Sequence, residues 1–240
     1  MIQVFKREFN GFLSSLIAYM VIGIFLTGMG LLIWVFPETS VLDYGFADLD
    51  TLFSMAPYVF IFLIPAITMK SFAEEKKMGT LELLLTKPLS DTDVVLGKFL
   101  ASFVLVLVAL LPTVIYYFSV SRLGNPAGNI DTAAVIGSYI GLTLLAAIFC
   151  SIGILASSLT SNQIVAFILA AFFCFIFYTG FDSLSSFAGS NALLIKQFGI
   201  LFHYESLSKG LIDSRDVIYA FTLTGIFVLS TIIIVRSRLW

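Results

Sequence analysis

Charge is what this sequence has least of. Only 12% of its 240 residues are Asp, Glu, Lys or Arg, against about 25% in a typical soluble domain. Hydrophobic residues make up 59%, and the mean hydropathy is +1.04. That balance excludes a disordered chain, a nucleic-acid-binding domain and an ordinary cytosolic enzyme. A water-soluble fold of this length would expose far more apolar surface than monomers tolerate. Histidine is nearly absent: His203 is alone, so a histidine metal cage within one chain is excluded. The two cysteines, Cys150 and Cys174, lie in apolar runs and read as buried thiols, not as a zinc or disulfide framework. No G-x-x-x-x-G-K-[ST] phosphate loop occurs, because the Gly97-Lys98 step is followed by Phe99. Nor is there a zinc-protease motif or an arguable Ser-His pair. If this chain does work against a gradient, its energy comes from a partner.

What the sequence has is long uncharged runs. Six of them, 16–36, 52–69, 99–120, 133–156, 164–181 and 217–235, contain no Asp, Glu, Lys or Arg. About 20 helical residues at about 1.5 Å each cross a hydrocarbon core of roughly 30 Å. The expected fold is therefore an all-α membrane protein with six transmembrane helices. The alternation of a membrane β-barrel is missing. Lys6 and Arg7 precede the first run, but it is too long for a signal core and no small-residue cleavage site follows, so it reads as a retained span.

The basic residues set the orientation. With the N-terminus in the cytoplasm, nine of 13 fall inside: Lys6, Arg7, Lys70, Lys76, Lys77, Lys87, Lys98, Arg236 and Arg238. Arg122, Lys196, Lys209 and Arg215 fall outside. Both termini are expected to be cytoplasmic. Trp34, Tyr116, Tyr117, Tyr178 and Tyr219 then lie near outer helix ends, and Tyr19 and Trp240 near inner ends, as an aromatic belt would.

Between the spans, residues 1–15 form an amphipathic pattern. Ile2, Phe5, Phe9, Phe12 and Leu13 oppose Lys6, Arg7, Glu8 and Asn10, which predicts a helix in the cytoplasmic interface. Residues 16–240 then make up the six-span domain. Its richest linker is 70–98. The second span continues as helix through Glu74–Lys77, and Gly79 breaks it. Thr80 opens a short helix, Leu81–Thr86, which Lys87-Pro88 ends. Ser90-x-x-Asp93 is a capping box for the third span. The short leucine-rich helix either lies on lipid as a re-entrant hairpin or docks a cytosolic protein. The polar stretch Ser157–Gln163 is the other cytoplasmic loop. The external segment 182–216 is too short in its apolar half to span, and reads as short helices dipping into the outer leaflet. Pro57, Pro65 and Pro112 are expected to kink their spans. Gly137-x-x-x-Gly141 and the Ala166, Ala170, Cys174 stripe serve either intrachain packing or a subunit interface.

The linker residues carry a resemblance. Phe72-Ala73-Glu74-Glu75-Lys76-Lys77-Met78-Gly79-Thr80-Leu81-Glu82-Leu83-Leu84-Leu85, with Pro88 after it, resembles the E-x-x-x-G-T-x-E-x-L-L-x-x-P signature of permeases of type-2 ABC exporters. Pro65–Met69, Leu96–Phe99 and Ser157–Ala166 are similar to the same family. The resemblance implies a non-catalytic permease subunit in the bacterial inner membrane. ATP and Mg would be held by a separate cytosolic ATPase, with no cofactor on this chain. Pairing with a second copy or a homologue would give twelve spans. A coupling helix would insert into a groove of the ATPase. Glu74, Glu75, Lys76, Lys77, Gly79, Thr80, Leu81, Glu82, Leu84 and Leu85 are the residues it assigns to that contact.

Outside, His203-Tyr204-Glu205-Ser206 and the stretch Lys209–Tyr219 look like the branch that holds gliding-motility permeases and permeases for copper-site maturation. The length and compact first external loop are most similar to the gliding-motility type, which works with a membrane-anchored auxiliary subunit bearing a large extracytoplasmic domain. His203, Tyr204, Glu205, Lys209, Asp213, Arg215 and Asp216 are then the expected external contact. His203 either organises this loop or, given the copper relatives, invites a metal reading; no metal site is assigned. Three functions stay open: export, mechanical work on an extracytoplasmic protein without transport, and an ion-coupled carrier. The third is disfavoured because no ionisable side chain lies within a span.

Overall fold

The computed structural model describes residues 1–43, 46–80 and 90–237, all helix, turn and loop with no strand among them. In hydrocarbon every backbone N–H and C=O needs an internal partner, which a helix supplies within one segment. Five stretches are long and apolar enough to cross a bilayer: Asp50–Lys77, Asp91–Leu123, Thr132–Leu159, Gln163–Ser185 and Ser214–Ser237. A sixth span forms if the bent pair Ile2–Leu13 and Ala18–Trp34 is counted as one.

The chain begins with α1 (Ile2–Leu13), bent by 66° from the axis of residues 18–34 in α2 (Leu16–Trp34). α3 (Asp50–Thr68) continues, after one turn residue, as α4 (Lys70–Lys77). Gly79 follows with φ +67°, a left-handed conformation that glycine adopts without a Cβ penalty. Ser90 opens α5 (Asp91–Leu110), its hydroxyl accepting from Asp93 N at 3.1 Å. The expected capping box is present. Pro112 sits in a tight turn, Leu111–Thr113, that joins α5 to α6 (Val114–Leu123). Asp131 caps α7 (Thr132–Leu159) by accepting from Ala133 N and Ala134 N. Asn162 caps α8 (Gln163–Phe175). A wider turn, Ile176–Gly180, leads to α9 (Phe181–Ser185), α10 (Ala192–Lys196) and α11 (Ile200–Ser208). The last span is α12 (Ser214–Ser237).

α7 is the central post. It contacts α3, α4, α5, α8, α11 and α12. Its small residues explain how so many neighbours fit, because lipid gives helices no hydrophobic drive to associate and close packing decides. A Cβ on Gly137 would sit 2.7 Å from Gly210 Cα, and one on Gly141 would sit 3.0 Å from Leu207 Cβ. The Gly-x-x-x-Gly pair therefore seats α11 of the same chain. Ala166, Ala170 and Cys174 are also fully buried within the chain. For both stripes the intrachain alternative holds.

Two expectations are corrected. Ser157 and Ser158 are not loop residues: α7 runs to Leu159, and both serines are buried. Tyr178 is no belt residue. It is 2% exposed and meets Tyr58, Phe149 and Tyr204 edge-on, at ring-centroid distances of 5.7, 6.1 and 6.3 Å.

Candidate functional site

α1, α4 and the first half of α5 meet around one buried ammonium. Lys98, in the first half of α5, is 1% exposed. Its Nζ donates to the Ser71 carbonyl at 2.6 Å and to Glu8 Oε1 at 3.1 Å. Glu75 Oε2 lies 3.0 Å away, an opposite-charge contact rather than an aligned hydrogen bond. The Phe72 ring centroid is 5.1 Å from Nζ, within cation–π range. Arg7 completes the cluster, pairing with Glu8 and, at 2.7 Å, with Glu75. Two cations and two carboxylates thus balance in a largely desolvated site. Burial pushes the Glu8 carboxyl up, but attraction to Lys98 and bonds from Arg7 outweigh it and hold it below the usual glutamate range.

Local sequence explains how the helices come this close. A Cβ on Gly97 would lie 2.8 Å from Val4 Cβ and 3.2 Å from the Met1 carbonyl, so only glycine lets α1 cross α5 here. α1 lays its charged side on the protein, with Arg7 and Glu8 bonded inward and Val4 buried, while Ile2 is 65% exposed. Of the polar residues Lys6, Arg7, Glu8 and Asn10, Arg7 and Glu8 make contacts to α4 and α5.

α4 is also pinned to α7. The Ser157 hydroxyl donates to the Met69 carbonyl at 3.0 Å and accepts from Phe72 N and Ala73 N at 3.0 and 3.1 Å. One side chain so satisfies the backbone groups left open where α3 gives way to α4. Lys76 Nζ donates to the Ser158 carbonyl.

Of the residues expected at the cytosolic contact, Glu75 and Lys76 are turned into the protein. Glu74 is half-buried and Lys77 and Gly79 are exposed. The Thr80 hydroxyl reaches the Glu75 carbonyl at 3.4 Å. Leu81, Glu82, Leu84 and Leu85 lie outside the described residues. Sequence reasoning missed Arg7, Glu8, Lys98 and Ser157 as site residues. A faint signal existed for Lys98, the last charge before the third uncharged run.

At the far end of the helices, the segment 182–216 contains short helices, with α11 seated on α7. His203 Nδ1 is 2.7 Å from Asp216 Oδ1, Nε2 is 2.9 Å from the Gln197 carbonyl, and the ring stacks on Tyr219 at 3.9 Å. His203 ties α11 to α12 and to the turn before it. No group of three or more metal-ligating side chains occurs among the described residues. Tyr204 and Asp216, expected at the surface contact, are corrected to buried positions, 5% and 6% exposed. The Tyr204 hydroxyl donates to the Phe53 carbonyl at 2.5 Å. Glu205, Lys209, Asp213 and Arg215 are exposed.

A family model described as ABC-2 family transporter protein matches residues 16–235, which takes in every span from α2 to α12. The chain belongs to the ABC-2 transporter family. No curated protein matches it. An ABC-2 permease is the membrane-spanning subunit of an ABC transporter, and membership implies a partner ATPase subunit and a dimeric permease. In this ABC-2 permease the clamp around Lys98 joins the helices on either side of the segment 81–89, and Ser157 joins one of them to the central post.

Proposed function

We propose that this permease transmits ATP-driven movement from a cytosolic ATPase, bound at the linker 70–98, to its outer face, in a bacterial inner membrane. Nucleotide and Mg belong to that ATPase. The supporting observation is mechanical. α4 and α5, the two helices that carry the linker, are held to each other and to α1 by Lys98, Glu75 and Glu8. A push on the linker then moves a rigid body instead of bending two independent helix ends. In a two-state scheme, ATP binding must favour one arrangement to shift the population.

The branch resemblance supports a role in gliding motility, with a membrane-anchored auxiliary subunit meeting Glu205, Lys209, Asp213 and Arg215. Permeases for metal-enzyme maturation are the alternative branch. Mechanical work without transport is favoured by one feature: α11 is bonded into the outer end of α3 through Tyr204 and packed onto α7, so helix movement reaches the external segment directly.

Copurified permease and ATPase in nanodiscs test the docking assignment. Gly79→Pro, whose ring requires φ near −65° where the chain has +67°, and Leu84→Asp are expected to abolish stimulation of ATP hydrolysis while the spans still insert. Wild-type association and stimulation in both variants would sink the assignment. Substrate flux stoichiometric with ATP would separate export from purely mechanical work.

A further inference from the structure

His203 faces more acceptors than a neutral imidazole can serve. Its Nδ1 is 2.7 Å from Asp216 Oδ1 and its Nε2 is 2.9 Å from the Gln197 carbonyl. A neutral ring has one N–H and one lone pair, and only the imidazolium donates from both nitrogens. Without the second proton, a nitrogen lone pair would face an oxygen lone pair at bonding distance. Asp216 supplies the matching charge. It is 6% exposed, and its Oδ2 is buried with no hydrogen-bond partner among the described residues. His203 is therefore the group that compensates it there. The Tyr219 ring stacks on the imidazole at 3.9 Å, and the negative face of an aromatic ring favours a positive neighbour.

The other charges nearby balance one another. Lys196, Lys209 and Arg215 line the same cleft, of about 1210 Å³, as Glu205 and Asp213. Asp182 pairs with Lys196 at 2.9 Å. Beyond Asp216, three cations thus meet three carboxylates, and the carboxylate in contact with the ring decides its charge. α7 closes the opposite side with Gly141, Leu144, Leu145 and Ile148, none of them titratable. The stretch Gln163–Ser185 presents Phe177 and Phe181. The hydroxyl of Tyr204, the next residue, is turned away to the Phe53 carbonyl. The cleft reaches the His203 side chain, which is 15% exposed, so a proton can exchange with water there. The ring stands where three elements join. α11 carries it, α12 carries Asp216, and Gln197 belongs to the turn between α10 and α11. The Tyr219 hydroxyl ties the same turn to α12, donating to the Phe198 carbonyl at 2.7 Å.

We propose that His203 and Asp216 form a proton-operated pin at this end of the bundle, the end expected to be extracytoplasmic. With the proton bound, both ring bonds hold and the turn 197–199 is fixed to α11. When the proton leaves to water through the cleft, the remaining N–H stays with the charged Asp216, the stronger acceptor. The Gln197 carbonyl then loses its donor. Phe198, on this turn, is a wall of the cleft, so proton loss frees that wall. The pin is complete at the acid end of the range of about pH 5–8 in which histidine changes charge, and loses one bond towards the alkaline end. It depends neither on ATPase docking nor on the gliding-motility reading.

His203 is the only histidine in the sequence, so isotope-labelled histidine reports a single imidazole. The full chain, purified without a histidine tag, is reconstituted in nanodiscs and titrated by NMR across about pH 5–8. Amide hydrogen exchange is measured in parallel and corrected for its intrinsic pH dependence. At the acid end both ring nitrogens are expected to carry hydrogen, with Nε2–H bonded to the Gln197 carbonyl. As the second ring proton is lost, exchange at the Phe198 and Gly199 amides should rise roughly three- to tenfold, the size of one hydrogen bond, with the same midpoint as the ring. The Ala133 and Ala134 amides, capped by Asp131, should show no such step. His203→Phe keeps a ring on Tyr219 but holds neither bond, so the turn should exchange fast throughout. Because that variant leaves Asp216 buried and unpaired, His203→Phe with Asp216→Asn is measured beside it, with the same result expected. A ring with a single N–H over the whole range, a turn indifferent to the titration of the ring, or a wild-type step in the double variant would overturn the proposal.

Discussion

Replacing Lys98 by Met removes the ammonium that balances Glu8 and Glu75 while keeping side-chain length. Breaking a buried ion pair from one side costs about 3–5 kcal/mol, because the remaining charge has lost its compensation. Here Arg7 stays bonded to both carboxylates and is half-exposed, so part of the compensation survives and the cost falls to about 2–3 kcal/mol. For a chain of this size, that corresponds to a Tm lower by about 4–12 °C. The assay is thermal unfolding of the purified permease in detergent, run as a double-mutant cycle with Glu8→Gln. If the cluster acts as a unit, the double variant loses less than the sum of the singles, with a coupling of about 1–3 kcal/mol. The pH dependence gives a second readout. Glu8 has its pKa depressed in the folded protein, so its contribution is present above the ordinary glutamate value of about 4.3 and is lost as pH falls through the lower folded value. Wild-type Tm should drop across that acid window, and Lys98→Met should flatten the drop. Additive singles, or an acid limb unchanged by Lys98→Met, would refute the clamp.

Ser157→Ala should free the Phe72 and Ala73 amides and the Met69 carbonyl; a loss of about 1–3 kcal/mol and faster hydrogen exchange confined to α4 are expected. Gly97→Leu should lift α1 from α5, since even a Cβ would meet Val4 and the Met1 carbonyl; a spin-label distance between α1 and α5 that stays unchanged would contradict this. Tyr204→Phe should cost about 1–3 kcal/mol by leaving the buried Phe53 carbonyl open. In the Pro57→Ala background that loss should shrink, because residue 57 then supplies the amide its proline lacks; an equal loss in both backgrounds would argue against the pairing.

The spans were legible because they rest on composition over about 20 residues, which one buried or exposed side chain cannot disturb. The turns were legible where chemistry is local: Gly79 takes positive φ, Ser90 caps α5, and Pro112 marks the tight turn. The orientation of polar side chains was not. Arg7 and Glu8 read only as the polar side of an interfacial helix, because periodicity locates a charged face without saying what covers it. Tyr178 and Tyr204 read as belt and contact residues because their distance from a helix end is visible while their neighbours are not.

Two of the hidden contacts share one cause. In each, a side chain from one part of the chain satisfies backbone groups that another part has left open. Pro57 lacks the amide that would bond the Phe53 carbonyl within α3, and Tyr204, remote in sequence, supplies the donor. The break between α3 and α4 leaves amides and a carbonyl that Ser157 satisfies from the end of α7. In water such groups could be left to solvent; at the edge of a bilayer, or within it, they cannot. An irregularity in one span thus requires a polar residue elsewhere. Pro57 was therefore evidence that such a residue exists, and a hydroxyl remote in sequence, such as that of Tyr204, was a candidate to supply it.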